Sequence, residues 1–141
     1  MSEFDPNYVP QKNYYLVGQK CVVFNSKGEV LLLKRSSKSG STHWSLIGGG
    51  LDKGEDPIEG IKREANEEAQ IEIFDIEPIR VVSFTEGEDS VLMIAYQAKT
   101  NSIEVVLNWE HDEYKWVSKE DALKEDLSET IKDFIRSSRS L

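Results

Sequence analysis

At 141 residues the chain has room for one domain built around a single substantial core. Its 26 acidic side chains against 17 basic ones leave a net charge of −9, which excludes a general nucleic-acid binder that relies on a basic surface. Cys21 is the only cysteine, so an intramolecular disulfide and a thiolate metal site are excluded. No apolar run is long enough to cross a membrane, and residues 1–15 lack the apolar stretch of a secretory leader. A reducing, cytoplasmic setting without a membrane partner is expected on these grounds.

In chain order, residues 1–13 hold two prolines and many polar groups and read as a loosely held arm, leaving a domain over 14–141. Residues 16–25 and 29–35 are apolar, β-rich runs separated by Ser26-Lys27-Gly28, the pattern of a hairpin, with Cys21 as a small core residue. Residues 36–43 form a small, polar, flexible loop. Gly48, Gly49 and Gly50 predict either a tight strand-to-loop turn or a close approach of backbone to ligand, where a carbonyl can complete a metal's shell. The triplet matches neither of the glycine patterns that cradle phosphates. A helix follows: Asp56 suits its N-cap, Pro57 its first position, and Glu59 stands three after the cap as in a capping box. Ile58, Ile61, Ala65 and Ala69 recur as one apolar stripe. Strands are expected over residues 79–86, 91–100 and 114–117. Ser118 can cap a short helix, and Ser128 a last one whose Ile131, Phe134 and Ile135 face inward. This order of elements predicts an α+β fold, a mixed sheet between helices.

The acidic helix carries the chemistry. Glu64, Glu67 and Glu68 stand at i, i+3 and i+4, sharing an arc of roughly 100° well away from the apolar stripe. A like-charged pair about 4 Å apart costs about 4 kcal/mol at an effective dielectric of about 20, so a positive charge is expected among them. Carboxylate oxygens are the ligands hard divalent ions prefer; the plain alternative is a solvated acidic face. No serine sits in a recognisable Ser–His–acid arrangement, and Cys21 looks buried, so no covalent nucleophile is apparent.

Spacing separates these readings. Gly49, five residues, Glu55, seven residues, Arg63-Glu64, then Glu67-Glu68 and an apolar Ile71 resembles the Nudix box, Gx5Ex7REUxEExGU, in which U is a bulky apolar residue. The resemblance is close over residues 49–71 and looser over most of the chain. Gln70 replaces the second glycine of the box, Ala65 a larger apolar residue, and Ile47 the proline that commonly precedes the glycines. Gln70 falls at the helix C-terminus, where glycine accepts a left-handed conformation cheaply, so the change costs about 1 kcal/mol.

The resemblance implies an α/β/α sandwich and hydrolysis of a nucleoside diphosphate linked to another group, with Mg²⁺ or Mn²⁺. The leading substrates are a nucleoside triphosphate or a dinucleoside polyphosphate. By the same resemblance Glu67 and Glu68 are metal ligands, and Glu64 is a further ligand or the general base. The carbonyl at Gly48 is available to the metal, Gly49 lies against the substrate, and Arg63 pairs with Glu55 to hold the loop. The acidic segment Trp109-Glu110-His111-Asp112-Glu113 implies one more carboxylate for metal or water, with Glu110 the first candidate and Glu113 the second. His111 reads as a loop or supporting residue, and His43 suggests no partner. Lys34 and Arg35 end a strand and can meet phosphates; Trp44 and Tyr96 can stack a base or fill the core. A homodimer is possible. The competing classes are a Nudix-like module that binds a nucleotide without cleaving it and an acidic interaction domain.

Overall fold

The computed structural model describes residues 4–39 and 43–139. Its elements are β1 (Tyr15–Phe24), β2 (Val30–Arg35), β3 (Trp44–Ser45), β4 (Ile47–Gly50), α1 (Pro57–Ala69), β5 (Phe74–Glu86), β6 (Asp89–Lys99), β7 (His111–Val117), α2 (Lys119–Ala122) and α3 (Glu129–Ser137). Residues 4–14 are exposed and form neither helix nor strand. Of the loop expected over 36–43, Ser37–Ser39 make one turn of 3-10 helix, and residues 40–42 lie outside the described residues.

Strand β1 is the hub. Along one edge it pairs in parallel with β6, from Tyr15↔Ser90 to Phe24↔Lys99. Its other edge is divided: Gly18 to Cys21 pair antiparallel with β4, whereas Phe24 alone pairs with Val30 of β2. The expected hairpin is therefore a single rung. Asn25 closes its turn, with Oδ1 accepting from the backbone N–H of Lys27 at 3.0 Å and of Glu29 at 2.9 Å. Beyond that rung β2 pairs antiparallel with β3 and β7. The sheet thus has two arms, β4-β1-β6-β5 and β3-β2-β7, joined at one place.

Period-two alternation along β1 and β2 supplies two cores. Cys21, Val23, Leu31 and Leu33 meet Ile61, Ala65 and Ala69 of α1 on one face. Val22, Phe24, Val30 and Leu32 meet Ala122, Ile131, Phe134 and Ile135 of α2 and α3 on the other. This is an α/β/α sandwich. Each fully buried large apolar side chain, such as Phe134, stabilises it by about 1.5–3 kcal/mol.

The helix ends follow their sequence signals. Asp56 Oδ2 accepts from Glu59 N–H at 3.1 Å, and Pro57 opens α1. The reciprocal arm of a capping box is absent, since the Glu59 carboxylate lies 3.6 Å from Lys62 Nζ instead. Gln70 adopts the left-handed conformation, φ 51° and ψ 42°, and its N–H reaches Asn66 O at 3.0 Å. Ser118 and Ser128 each cap their helix three residues on, at Asp121 and Ile131.

Three elements differ from expectation. A strand, β4, runs through Gly48–Gly50, although glycine is poor in strands. β7 begins at His111 rather than at 114. β5 begins at Phe74 rather than at 79; it is a sheet edge, mostly exposed on both faces and shifted in register twice, so it lacks a clean alternation.

Candidate active site

Helix α1 packs on β4, and the glycines of β4 decide how closely. The Glu68 carboxylate accepts the Gly48 N–H at 2.8 Å. A Cβ at Gly49 would stand 2.5 Å from Glu64 Oε1. One at Gly48 would strike the Gln19 carbonyl and come within 2.7 Å of Lys20 Cδ. The side-chain-free strand lets two helix carboxylates rest on backbone. Against the alternative of a solvated acidic face, Glu64 and Glu68 are only 8% and 3% exposed. Of the three glutamates only Glu67 is open to solvent.

One positive charge among them comes from the chain itself, Arg63. Its Nη1 lies 3.1 Å from both Glu64 Oε1 and Glu67 Oε2. Its Nε and Nη2 grip both oxygens of Glu55 at 2.7 and 3.0 Å, the bidentate geometry of a guanidinium on a carboxylate. Nη2 also donates to Gly50 O at 3.2 Å. Arg63 therefore ties loop, glycine strand and helix together. Its bonds hold the Glu55 carboxyl down to about 2.

The opposite wall is the start of β7. Glu110 ends the preceding turn, its N–H donating to Asn108 Oδ1 at 3.1 Å and its carbonyl accepting from Ser36 N–H at 2.8 Å. His111 follows, buried at the first position of the strand. One ligand atom each from Glu68, Glu110 and His111 lie within 4.8 Å of one another. Glu113, the second candidate, is exposed on β7 opposite Lys34 and lies outside this group.

Burial pushes the Glu68 carboxyl up to about 7, against the pull of the Gly48 N–H and Lys20. It also raises Glu64, an effect Arg63 opposes. It lowers His111 to about 4, helped by Arg35 and Lys20, so the imidazole is neutral at ordinary pH.

Lys20 is a site residue not expected from the sequence. Its Nζ donates to Ser45 Oγ at 3.2 Å and Leu46 O at 3.3 Å, and it faces Glu68, Glu64, Glu110 and Arg35. Burial lowers its proton affinity, and those carboxylates raise it again. The signal was a lysine running directly into the apolar stretch of residues 21–24, where an unpaired charge is rare.

Beside this cluster lies a cleft of about 250 Å³ lined by Arg35, His43, Trp44, Ser45, Asp126 and Ile131. His43, without an expected partner, has one here in Asp126, at 2.9 Å. Trp44 is half-buried, with Lys115 Nζ 4.2 Å and Lys34 Nζ 5.9 Å from its ring centroid. Tyr96 is excluded as a base-stacking residue: it is 3% exposed, and its hydroxyl accepts from buried Gln19. A further cavity of about 450 Å³ lies among Phe24, Phe74, Lys99 and Arg139 and contains none of the acidic site residues.

Oxygen donors from Glu64, Glu68 and Glu110 suit a hard divalent ion. The buried His111 Nδ1 has no hydrogen-bond partner and faces Glu68 Oε2 at 3.6 Å. The residues fit a metal centre.

Comparison with known proteins places this geometry in context. A NUDIX domain family model matches residues 15–137. The nucleoside triphosphatase NudI of Escherichia coli O139:H28 is 29% identical over 129 residues, spanning 82% of this chain and 92% of that protein. The crystal structure of a MutT protein from Methanosarcina mazei Go1 superimposes with a TM-score of 0.75 at 33% identity, covering 90% of this chain and 94% of that one. A C. elegans Ap4A hydrolase binary complex gives a TM-score of 0.69 at 27% identity, covering 86% and 93%.

Proposed function

The chain belongs to the Nudix family, and on that basis we propose that it hydrolyses a pyrophosphate linkage in a nucleoside diphosphate joined to another group, using Mg²⁺ or Mn²⁺. The observation that carries this reading is the carboxylate set: all box glutamates are present, and Glu64 and Glu68 are buried against β4 opposite Glu110. A nucleoside triphosphate or a dinucleoside polyphosphate is the proposed substrate class, in keeping with the names of the E. coli and C. elegans relatives.

Glu64, Glu67, Glu68, Glu110 and the Gly48 carbonyl are the proposed holders of the divalent ion. When bound, that ion neutralises charge on adjacent phosphates. The residues of the chain do the remainder. Glu64, its proton affinity raised by burial, is suited to take the proton of an attacking water, with Glu110 the second candidate. Arg63 fixes the glycine strand at one end of the site. Arg35 and Lys34 offer cations to the phosphate chain, Gly49 permits close approach of the substrate to the backbone, and Trp44 offers an aromatic edge beside the cleft for the base.

The test is turnover of nucleoside triphosphates and dinucleoside tetraphosphates in ¹⁸O water, with Mg²⁺ and with EDTA. One phosphorus-containing product should carry the label, only with the divalent ion, and nucleoside monophosphates should be inert. Efficient monophosphatase activity, a trapped phosphoenzyme, or undiminished turnover in EDTA would refute the proposal.

A further inference from the structure

Among the described residues two buried side-chain atoms lack a hydrogen-bond partner, Gln19 Oε1 and His111 Nδ1, and of these His111 Nδ1 belongs to the carboxylate cluster. The His111 side chain is 3% exposed, and Nδ1 is without a hydrogen-bond partner. That atom lies 3.6 Å from Glu68 Oε2, beyond hydrogen-bond length. Leaving a buried polar nitrogen unsatisfied costs about 1–3 kcal/mol. An alanine or valine would start the strand without that cost. One ring nitrogen of His111 lies within 4.8 Å of carboxylate oxygens of Glu68 and Glu110, and Nδ1 is the nitrogen 3.6 Å from Glu68 Oε2.

We propose that His111 Nδ1 is a ligand of a divalent ion held with Glu68 and Glu110, and that this nitrogen gives the site a preference for a first-row transition ion such as Mn²⁺ or Co²⁺ over Mg²⁺. The proposal deepens the hydrolase reading and rests on it. The ligand role requires the tautomer with its proton on Nε2, which turns the Nδ1 lone pair toward the carboxylates. Magnesium takes oxygen ligands and gives up water reluctantly, whereas manganese and cobalt accept imidazole nitrogen readily. An all-carboxylate site favours no such ion so strongly; one nitrogen replaces an oxygen donor and shifts the preference. Glu68 Oε1 remains on the Gly48 N–H, leaving Oε2 for the ion. Glu110 and His111 are adjacent in sequence, so one turn of backbone presents both donors.

Electron spin echo spectroscopy of the Mn²⁺-loaded protein reads nitrogen coordination directly, without turnover. The chain has two histidines. Protein carrying ¹⁵N-histidine should replace a ¹⁴N modulation by its ¹⁵N counterpart. The modulation should persist in His43→Gln and vanish in His111→Gln. By calorimetry, His111→Gln should weaken Co²⁺ and Mn²⁺ binding about 10–100-fold and change Mg²⁺ binding by less than about threefold. Because the echo measurement uses the unmutated chain, poor folding of His111→Gln leaves the proposal testable. Mn²⁺ binding without histidine nitrogen modulation, alongside metal-dependent hydrolysis, would overturn the ligand role and leave the hydrolase reading intact. Absence of any divalent-ion binding would overturn both.

Discussion

Replacing Glu68 by glutamine should make the metal-free protein more stable, and the gain should depend on pH. Glu68 is 3% exposed, and burial moves its carboxyl from the ordinary 4.5 up to about 7. Below 4.5 the carboxyl is protonated in both folded and unfolded chains and carries no penalty. Between 4.5 and about 7 the unfolded chain releases its proton first, so stability falls as pH rises. Above 7 the whole penalty is present, about 3 kcal/mol at ~1.4 kcal/mol per pH unit. Glutamine is neutral throughout, and its amide oxygen can still accept the Gly48 N–H. Lys20 loses a carboxylate neighbour in the variant, which offsets part of the gain and leaves about 2 kcal/mol. His111, lowered to about 4, acts in the other direction, its contribution being lost as pH falls below 6.5; it lies 3.6 Å from Glu68 and is neutral in both proteins at pH 8, where the comparison is read. Urea unfolding in EDTA, followed by tryptophan fluorescence at pH 4.5, 6 and 8, measures that difference. It should be near zero at the lowest pH and about 2 kcal/mol in favour of Glu68→Gln at pH 8. A gap that does not change with pH, or a variant less stable at pH 8, would refute the argument.

Arg63→Ala should lower both the melting temperature, by several degrees, and the turnover rate, because one guanidinium holds Glu55, Glu64, Glu67 and the Gly50 carbonyl. Full thermal stability with lost activity would place Arg63 directly on the substrate instead. Glu110→Gln should slow turnover about 10²–10⁴-fold with the unfolding midpoint unchanged, since the residue sits in a polar turn rather than in either core. Unimpaired kcat in that variant would remove Glu110 from the chemistry.

Local signals in the sequence were reliable where the physics is local. Asp56, Ser118 and Ser128 cap the helices they were expected to cap, and Gln70 takes the left-handed conformation the box reserves for glycine. The apolar stripe of α1 faces the core, with Ile61, Ala65 and Ala69 free of solvent. What the sequence concealed depends on partners distant in the chain. A helical wheel sets Glu64 and Glu68 apart from the apolar stripe, yet β4 covers them, and a strand of three glycines is invisible to any scale of strand preference. The pairing of His43 with Asp126 spans 83 residues. Lys20 gave a signal, a charge running into an apolar stretch, but only the fold shows which carboxylates it faces.

The single rung between Phe24 and Val30 gives the site an architectural character of its own. Glu64 and Glu68 belong to the helix resting on the β4 arm, and Glu110 and His111 to the end of the β7 arm. A ligand touching both sets is a clasp across a seam where the strand pairing is a single rung, beside cores that draw side chains from both arms. Occupancy is then a mechanical event as well as a chemical one. Whatever fills the seam stabilises the folded chain by mass action, and the same contacts that position a phosphate chain add to what holds the fold together.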